Sequence, residues 1–536
     1  MAKCKINGVD CEWEGKKTYL QVALENGVEL PHYCYHPGMS IVASCRICLA
    51  DIAEPNPRAN NELQFKPKLE PTCKAMAVDG GEVHAQTPRA IANQKQVMEY
   101  LLINHPLDCP VCDQAGECYL QDYSFKYGRG HSRFEELKIK QPKKNLGPNV
   151  LLYADRCIMC TRCVRFTREV TGTGEISVFG RGSSEQIDVF PGHPLDNELS
   201  GNVVDICPVG ALLDKDFLMS MRVWNLEKVP SIDGLTASGD NISIEFNEDK
   251  IYRIKPRVNM DINQWWISDE IRYGWKFVQS PDRLITPTHK VHGVHEPLGW
   301  DAAYDQLTTK LKAGKTAAVI SPMLPCEEAY LLARMVLDAD PDATLAVGPV
   351  PVHGEDKTFP GGYTIRAEKC PNSRGVRQSL ELLSDNVLDY DSFIRKLAGG
   401  SIQTVLLTGG YPTAWATDDL LNALAGKFTC VIDVLPSKVT EAADLVLPGA
   451  TWTEKNGSFA NADGVLQGFL QAIPVREGAK AEGRIALDLA ARISDSDRER
   501  LDVEFVRQMM GGMFTAQLHR AQTPRQRTSD MQYVAL

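Results

Sequence analysis

Cysteines are concentrated in the first part of this sequence of 536 residues. Of its 16 cysteines, 13 lie at or before Cys207, and only Cys326, Cys370 and Cys430 follow. The N-terminus lacks the apolar run of a secretion signal, so a reducing compartment is expected. Crowded cysteines in such a compartment indicate metal ligands rather than disulfides. Most of them fall into three groups that have the spacing of metal ligands.

The first group consists of four cysteines separated by 10, 2 and 24 residues: Cys34, Cys45, Cys48 and Cys73. Ferredoxin-type proteins hold a 2Fe-2S cluster with three cysteines on one loop and a fourth from a later segment, because each iron takes two thiolates. The first gap is longer here than in plant-type ferredoxins. The group predicts a 2Fe-2S cluster, and a zinc ion held by four thiolates is the alternative.

The second group contains one histidine and three cysteines: His105, Cys109, Cys112 and Cys118. A 4Fe-4S cluster takes four protein ligands, and only three cysteines lie close together here. A neutral imidazole can supply the fourth ligand, as histidine does at other iron–sulfur centres. A zinc site with three cysteines and one histidine is the alternative.

The third group consists of Cys157, Cys160 and Cys163, with two residues between successive cysteines, and of Cys207, which precedes Pro208. This is the bacterial ferredoxin pattern for a 4Fe-4S cluster, in which proline follows the last cysteine. A ferredoxin with two clusters would repeat the run of three cysteines. The run occurs once, so the group predicts a single 4Fe-4S cluster.

Short elements are predicted around these groups. Strands are expected over 3–7 and 10–13, and a helix is expected from Thr18 to the Asn26-Gly27 stop. Apolar periodicity predicts an amphipathic helix over 88–104, which His105-Pro106 ends. The start of the chain therefore predicts a small α+β fold.

The second half alternates helix and strand patterns, which predicts a parallel sheet with helices on both faces. The predicted helices cover 301–311 and 327–338, and the predicted strands cover 316–321, 344–347, 404–407 and 429–434.

The order of the three groups, together with residues 105–122, resembles the large iron–sulfur subunit family of respiratory complex I, known as the G subunit of bacterial NADH-quinone oxidoreductases. The resemblance extends through about residue 225. Residues 280–284 and 454–464 look like segments of the molybdopterin oxidoreductase superfamily, to which the C-terminal half of that family belongs. The resemblance implies a 2Fe-2S cluster on the first group and a 4Fe-4S cluster on each of the other two.

The sequence also departs from this family. Some members carry a further cysteine quartet after the third group, but no cysteine occurs between Cys207 and Cys326, so we expect that cluster to be absent. Molybdenum enzymes of the superfamily need a metal ligand and a closing C-terminal domain, and only 72 residues follow Gly464. We therefore expect no molybdenum, and we interpret the α/β half as a scaffold.

Five domains are predicted. They are a ferredoxin-like (β-grasp) 2Fe-2S domain at 1–85, a helical 4Fe-4S domain with one histidine and three cysteines at 86–145, a bacterial-ferredoxin-like 4Fe-4S domain at 146–222, a small linking domain without a cluster at 223–285, and a doubly wound, molybdopterin-oxidoreductase-like α/β domain at 286–536.

The resemblance implies an electron relay within NADH:quinone oxidoreductase, a translocase, and this chain would hold neither the NADH site nor the quinone site. Its partners would be a flavin-bearing NADH-oxidising subunit, a 4Fe-4S ferredoxin-type subunit leading to quinone, and other peripheral-arm subunits. The short glycine motifs at 172–174 and 180–182 do not make a dinucleotide fingerprint. The alternatives are an electron-transfer subunit of an NADH-linked hydrogenase and a subunit of a molybdenum-dependent formate dehydrogenase.

The net charge of −11 argues against a nucleic-acid partner. No stretch approaches the roughly 18 apolar residues that a membrane-spanning helix needs. We therefore expect a soluble chain on the cytoplasmic side of the bacterial inner membrane, attached to it only through partner subunits.

Overall fold

The computed structural model describes residues 1–497 and 499–511. The chain divides into two compact units. Unit 1 consists of residues 1–226 and Phe359–Tyr363, and unit 2 consists of residues 227–358 and the described residues from 364 onward. Within these described ranges, no helix is both long and apolar enough to cross a bilayer.

Unit 1 begins with a mixed sheet covered by a helix. Its strands are β1 (Ala2–Ile6), β2 (Val9–Trp13), β3 (Leu49–Asn56), β4 (Glu62–Phe65), β5 (Glu70–Pro71) and β6 (Glu82–His84), and its first helix is α1 (Tyr19–Glu25). The strand order is β2-β1-β6-β3-β4, and β5 pairs with β3. Strands β1 and β6 are parallel, whereas β1–β2 and β3–β6 are antiparallel. The two predicted N-terminal strands are confirmed within one residue.

Helix α1 begins where the sequence predicts a helix start. The Thr18 side chain accepts from the Gln21 backbone, and the Gln21 side chain accepts from the Thr18 backbone, which is a capping box. The helix buries Tyr19, Leu20 and Val22 in the core of the mixed sheet. The capping box and the buried apolar face explain why a helix of only 7 residues forms here.

The remainder of unit 1 contains short elements around the second and third cysteine groups. They are α2 (Pro88–Leu102), α3 (Tyr119–Tyr127), β7 (Lys143–Asn145), β8 (Val150–Tyr153), α4 (Arg162–Arg165), β9 (Ile176–Phe179), β10 (Gln186–Val189), α5 (Asn202–Ile206) and β11 (Leu212–Asp214). Helix α2 confirms the predicted amphipathic helix and ends two residues earlier than expected. Strands β11, β8 and β7 form one sheet, and β9 and β10 form a hairpin.

Unit 2 has an antiparallel part and an α/β part. Its strands are β12 (Glu227–Ile232), β13 (Asn241–Asn247), β14 (Lys250–Pro256), β15 (Thr288–Val291), β16 (Val294–Pro297), β17 (Thr316–Ile320), β18 (Thr344–Val347), β19 (Lys357–Thr358), β20 (Thr364–Ile365), β21 (Thr404–Thr408), β22 (Phe428–Asp433), β23 (Leu445–Pro448), β24 (Gly457–Ala460) and β25 (Leu466–Phe469). Its helices are α6 (Asp269–Tyr273), α7 (Trp300–Lys312), α8 (Cys326–Ala339), α9 (Ser373–Glu381), α10 (Tyr390–Ala398), α11 (Asp418–Leu424), α12 (Lys438–Ala442), α13 (Glu482–Ser494) and α14 (Val503–Met509).

The largest sheet of unit 2 has the order β16-β15-β23-β22-β21-β17-β18. The five strands from β23 to β18 are parallel. Alternate residues of β17 point to opposite faces: Ala318 packs in the core that contains α7, α8 and α13, and Val319 packs in the core that contains α10 and α11. The predicted doubly wound α/β fold is confirmed. The antiparallel strands β15 and β16, which extend this sheet, were not predicted.

Strands β12, β13 and β14 form a separate antiparallel sheet in unit 2. The connection between β12 and β13 is organised by the fully buried Asp233. Its carboxylate accepts from the backbone N–H groups of Leu235 and Thr236 at 2.8 and 3.0 Å, and from the Ser238 hydroxyl at 3.1 Å. Side-chain hydrogen bonds therefore hold this loop, in the segment that has no cysteine.

A buried ion cluster joins three elements of unit 2. Lys455 donates to Glu328 of α8 at 2.7 Å and to Glu482 of α13 at 2.6 Å. All three side chains are at most 4% exposed. Burial raises the pKa of Glu482 to about 7, against the attraction of Lys455, whereas the two carboxylates outweigh burial and raise the pKa of Lys455. This ion cluster therefore depends on one buried cation, Lys455, which pairs with two carboxylates.

Candidate iron–sulfur sites

The first cysteine group is assembled from two segments of unit 1. Cys34, Cys45 and Cys48 lie on the loop between α1 and β3, and Cys73 follows β5. The sulfur atoms form two pairs, Cys34 with Cys45 at 3.5 Å and Cys48 with Cys73 at 3.6 Å. The fold thus brings the remote Cys73 beside Cys48 of the loop.

This pairing suits a 2Fe-2S cluster. Two thiolates about 2.3 Å from one tetrahedral metal are about 3.8 Å apart, so each sulfur pair has nearly the spacing of two ligands on one iron. The sulfur–sulfur hydrogen bond with Cys45 lowers the pKa of Cys34 to about 5, and the bond with Cys73 lowers the pKa of Cys48. The same bonds raise the pKa of Cys45 and of Cys73, because the two sulfur atoms of each pair share one proton. The thiolate is the form that binds metal, so loss of that remaining proton has to be coupled to metal binding.

The third cysteine group surrounds one small cavity. Cys157, Cys160, Cys163 and Cys207 all line it, together with apolar side chains such as Leu152. Burial raises the pKa of Cys157 to about 12 and that of Cys160 to about 11. Loss of these thiol protons therefore has to be coupled to the binding of a cation. Four convergent thiols in a mostly apolar shell fit a 4Fe-4S cluster.

The loop that carries the first three of these cysteines has a special backbone. Met159 and Thr161 have φ values of 52° and 58°, in the left-handed region. Non-glycine residues adopt this region rarely and at an energetic cost, and such residues cluster at functional sites. Met159 and Thr161 lie on either side of Cys160, and their left-handed backbone conformation curves the loop around the cavity.

The second cysteine group lies on the chain between α2 and α3. Cys112 and Cys118 are buried, and Cys109 is exposed. The group adjoins the segment that follows Cys207, because a Cβ added to Gly210 would lie 2.3 Å from the Cys112 sulfur. Glycine is therefore required at position 210 for this close approach.

Arg156 links the second and third groups. It immediately precedes Cys157, and its guanidinium donates to the Asp108 carboxylate at 2.9 and 3.2 Å. Asp108 in turn immediately precedes Cys109. The guanidinium also lies 4.0 Å from the ring centroid of Tyr153. This ion pair, in which Arg156 is buried and Asp108 is partly exposed, joins the residues that precede the first cysteine of each group.

His105 is half-buried and lies between Asn104 and Pro106. Burial, and then the charges of Arg156 and Lys138, lower the pKa of His105 to about 4, so the imidazole is neutral at pH 7. Neutral imidazole is the form that binds metal. The side chain lines a cavity together with Cys157. Its role as the fourth ligand of the second group stays a prediction.

Three further polar residues of unit 1 had no role in the sequence analysis. Arg162, Arg165 and Glu169 lie beside or just after Cys163 and contact the loop that carries Cys34. Their spacing of 3 and 4 residues places them on one helical face. That periodicity was readable in the sequence, but it did not indicate which segment they contact.

In the described ranges 1–497 and 499–511, no three His, Cys, Asp or Glu side chains have the arrangement of ligands around a single metal ion. The four thiols of the third group line one cavity but do not have that arrangement.

Two substitutions of His105 test its ligation. His105→Cys replaces a neutral ligand by an anionic one, so the 4Fe-4S cluster of the second group should remain and its reduction potential should fall. His105→Ala should leave one iron without a protein ligand and make that cluster labile. Potentiometric titration followed by low-temperature paramagnetic resonance measures both effects. If both variants keep the cluster at the wild-type potential, His105 is not a ligand.

Five family models match the chain in succession. Residues 1–88 match a 2Fe-2S iron–sulfur cluster binding domain, 94–133 the NADH-ubiquinone oxidoreductase-G iron–sulfur binding region, 147–213 the NADH-quinone oxidoreductase subunit 3 ferredoxin-like domain, 226–276 the NADH-ubiquinone oxidoreductase NDSU1/NuoG-like 4Fe-4S domain, and 386–492 molybdopterin oxidoreductase.

Curated relatives carry the same family names. The NADH-quinone oxidoreductase G subunit of Rickettsia felis is 37% identical over 339 residues, which cover 63% of this chain and 49% of the relative. The mitochondrial NADH dehydrogenase [ubiquinone] iron-sulfur protein 1 of Solanum tuberosum is 44% identical over 256 residues, which cover 48% of this chain and 33% of the relative. The chain is a homologue of these proteins. It spans at most about half the length of these two relatives.

One of these family matches is chemically unusual. The segment 226–276 matches a 4Fe-4S domain, yet it contains neither cysteine nor histidine. The same segment contains Asp233 and strands β12, β13 and β14. The homologous domain is therefore present without the side chains that hold a cluster.

A solved structure, that of an NAD+-reducing [NiFe]-hydrogenase in the H2-reduced state, is also similar. It is 24% identical, covers 41% of this chain and 91% of its own, and has a TM-score of 0.36. A TM-score at this level supports no argument about function.

Proposed function

We propose that this chain is an iron–sulfur electron-relay subunit of an NADH:quinone oxidoreductase of the complex I type. It would receive electrons from a flavin-bearing NADH-oxidising subunit and pass them to a 4Fe-4S ferredoxin-type subunit that leads to quinone. The observation that carries the proposal is the convergence of Cys157, Cys160, Cys163 and Cys207 on one cavity. The homology to the iron–sulfur subunits described above supports the same function.

The proposed ligands lie in the three groups described above. Their sulfur and imidazole atoms would hold one 2Fe-2S and two 4Fe-4S clusters, which accept and release single electrons when bound. The proposed ligands are Cys34, Cys45, Cys48, Cys73, His105, Cys109, Cys112, Cys118, Cys157, Cys160, Cys163 and Cys207.

The protein around these ligands would set how readily each cluster accepts an electron. Burial, hydrogen bonds to sulfur and nearby charge are the available means. The apolar shell of the third group and the buried Arg156 are two examples. We also propose that the five domain boundaries predicted from the sequence hold, that the α/β domain is a scaffold without molybdenum, and that the complex lies on the cytoplasmic side of the bacterial inner membrane.

Metal analysis tests the cofactor content. The chain purified without oxygen should contain about 10 iron atoms, with neither molybdenum nor stoichiometric zinc. Paramagnetic resonance of the reduced protein should show both 2Fe-2S and 4Fe-4S signals. About 14 iron atoms would indicate a fourth cluster. Zinc in place of iron would contradict the relay function.

A second measurement tests the assembly. A membrane extract is separated on a blue-native gel and stained for NADH dehydrogenase activity, and the chains in the stained band are identified. We expect this chain to migrate with a flavin-bearing subunit and with membrane subunits. Its absence from every band that oxidises NADH would contradict the proposal.

A further inference from the structure

One helical segment of unit 1 contacts two ligand loops at once. It comprises α4, which contains Cys163, and the π-helical turn Phe166–Val170 that continues it. A π-helical turn is rare and often marks a functional site. Arg162, Arg165 and Glu169 lie along one face of this segment.

These side chains bind the backbone of the first ligand loop. Arg165 donates to the carbonyl of Cys34 and, at 2.6 Å, to that of Ser40. Arg162 donates to the carbonyl of Tyr35 at 2.5 Å. Glu169 accepts from the backbone N–H of Ser40 at 2.8 Å. The loop that carries Cys34 is therefore fixed at several points.

The same arginines also bind the third ligand group. Arg165 donates to the carbonyl of Cys160 at 3.4 Å, and Arg162 donates to the carbonyl of Ile206 at 3.1 Å. Ile206 directly precedes Cys207. Each guanidinium therefore connects the first group to the third. A planar fork with five donors can do this, whereas a lysine ammonium cannot match its geometry.

Both guanidinium groups are buried, since Arg162 is 1% and Arg165 is 7% exposed. Burying a cation is costly unless nearby groups compensate it. Burial lowers the pKa of Arg165, while the charges of Cys160 and Cys34 act in the opposite direction. The Nε–H of Arg165 has no hydrogen-bond partner among the described residues. The protein thus places a cation, with a donor to spare, between the backbone carbonyls of Cys34 and Cys160, which belong to two different groups.

We propose that Arg165, supported by Arg162, is a positioning residue shared by the clusters of the first and third groups. It holds the two ligand loops in one arrangement, and its charge raises the reduction potentials of both clusters. This inference rests on the proposed function, since it requires that both groups hold clusters.

The sign of the effect follows from electrostatics. One-electron reduction adds one negative charge to a cluster, and a nearby buried cation stabilises the reduced form more than the oxidised form. Removal of the cation should therefore make both reduction potentials more negative. A residue that served only one cluster would shift only one potential.

Three variants of the full chain test the inference. Arg165→Gln removes the charge and keeps a hydrogen-bond donor, and Arg165→Lys keeps the charge and loses the fork. Arg168→Gln is the control, because Arg168 lies on the same segment but is exposed, and its one side-chain hydrogen bond within the described part of the chain is to Ser177, at 3.5 Å. Potentiometric titration with paramagnetic resonance measures both reduction potentials, and pulsed paramagnetic resonance measures the dipolar coupling between the two clusters.

We expect Arg165→Gln to lower both potentials, Arg165→Lys to keep them nearer to wild type but alter the dipolar coupling, and Arg168→Gln to change neither. Wild-type potentials in Arg165→Gln, or a shift of one potential alone, would overturn the inference. If Arg165→Gln lost its clusters, Arg165→Lys would serve as the test of the positioning role. An unchanged dipolar coupling in Arg165→Lys would overturn that role. Absence of cluster signals in the wild-type chain would instead contradict the proposed function itself.

Discussion

Replacing Cys160 by serine is expected to remove the 4Fe-4S cluster of the third group. Cys160 is one of four thiols that line a single cavity, and it lies between two left-handed residues that shape the loop. A serine hydroxyl is a far weaker ligand for iron than a thiolate at neutral pH. Iron content should fall from about 10 to about 6 atoms per chain. Electron transfer from NADH to quinone in the assembled complex should also be lost.

Iron analysis and paramagnetic resonance of the purified variant measure this effect. Cys4→Ala is the matched control, because Cys4 is a buried cysteine of unit 1 that lies outside the three groups. The control should keep all of its iron. Full iron content in Cys160→Ser would contradict the assignment of the third group. Full NADH-to-quinone activity without the cluster would show that it does not lie on the electron path.

Lys455→Met is expected to cause the largest loss of stability in unit 2. The substitution leaves the carboxylates of Glu328 and Glu482 buried without their cation. Breaking a buried ion pair by removing one partner costs about 3–5 kcal/mol. Denaturant unfolding followed by tryptophan fluorescence measures the loss, and the buried Trp452 is a nearby probe. An unfolding free energy unchanged from wild type would contradict the proposed dependence on Lys455.

The loss should grow as the pH rises. Burial already raises the pKa of Glu482 to about 7, and removal of Lys455 should raise it further. Above about pH 7 the folded wild-type carboxyl ionises whereas the folded variant carboxyl retains its proton, so the unfolding free energy of the variant continues to fall with pH while that of the wild type levels off. Lys438→Met is the control. Its partner Asp418 is exposed, and such surface pairs contribute about 0–1 kcal/mol.

Much of the α/β domain could be predicted from the sequence because its strands are buried on both faces. The predicted strand 344–347 coincides with β18, and the predicted strand 316–321 exceeds β17 by one residue. Continuous apolar runs between helical patterns are typical of parallel strands. The antiparallel β15 and β16 escaped prediction because their residues are partly buried or exposed, and because β15 joins the sheet by pairing with β23, which is distant in the chain.

The candidate sites could be predicted only in part. Ligand spacing identified the cysteines of the third group, because the chemistry of a cluster restricts that spacing. The contacts of Arg165 join residues more than 120 positions apart, so no local pattern indicates them. For His105 the sequence predicts a ligand of the second group. The structure places its side chain at a cavity that is also lined by Cys157, which belongs to the third group.

The Asp233 loop has a consequence for how the chain is made. Its hydrogen bonds come from residues that are always available, whereas the clusters proposed for unit 1 would depend on a cell's supply of iron and sulfide. We therefore expect unit 2 to mature during synthesis even under iron starvation, while unit 1 waits for its clusters to be delivered. An iron-starved cell would then accumulate chains in which unit 2 is folded and unit 1 is not. Proteases that degrade unfolded segments would attack these chains at the end that carries the cysteines.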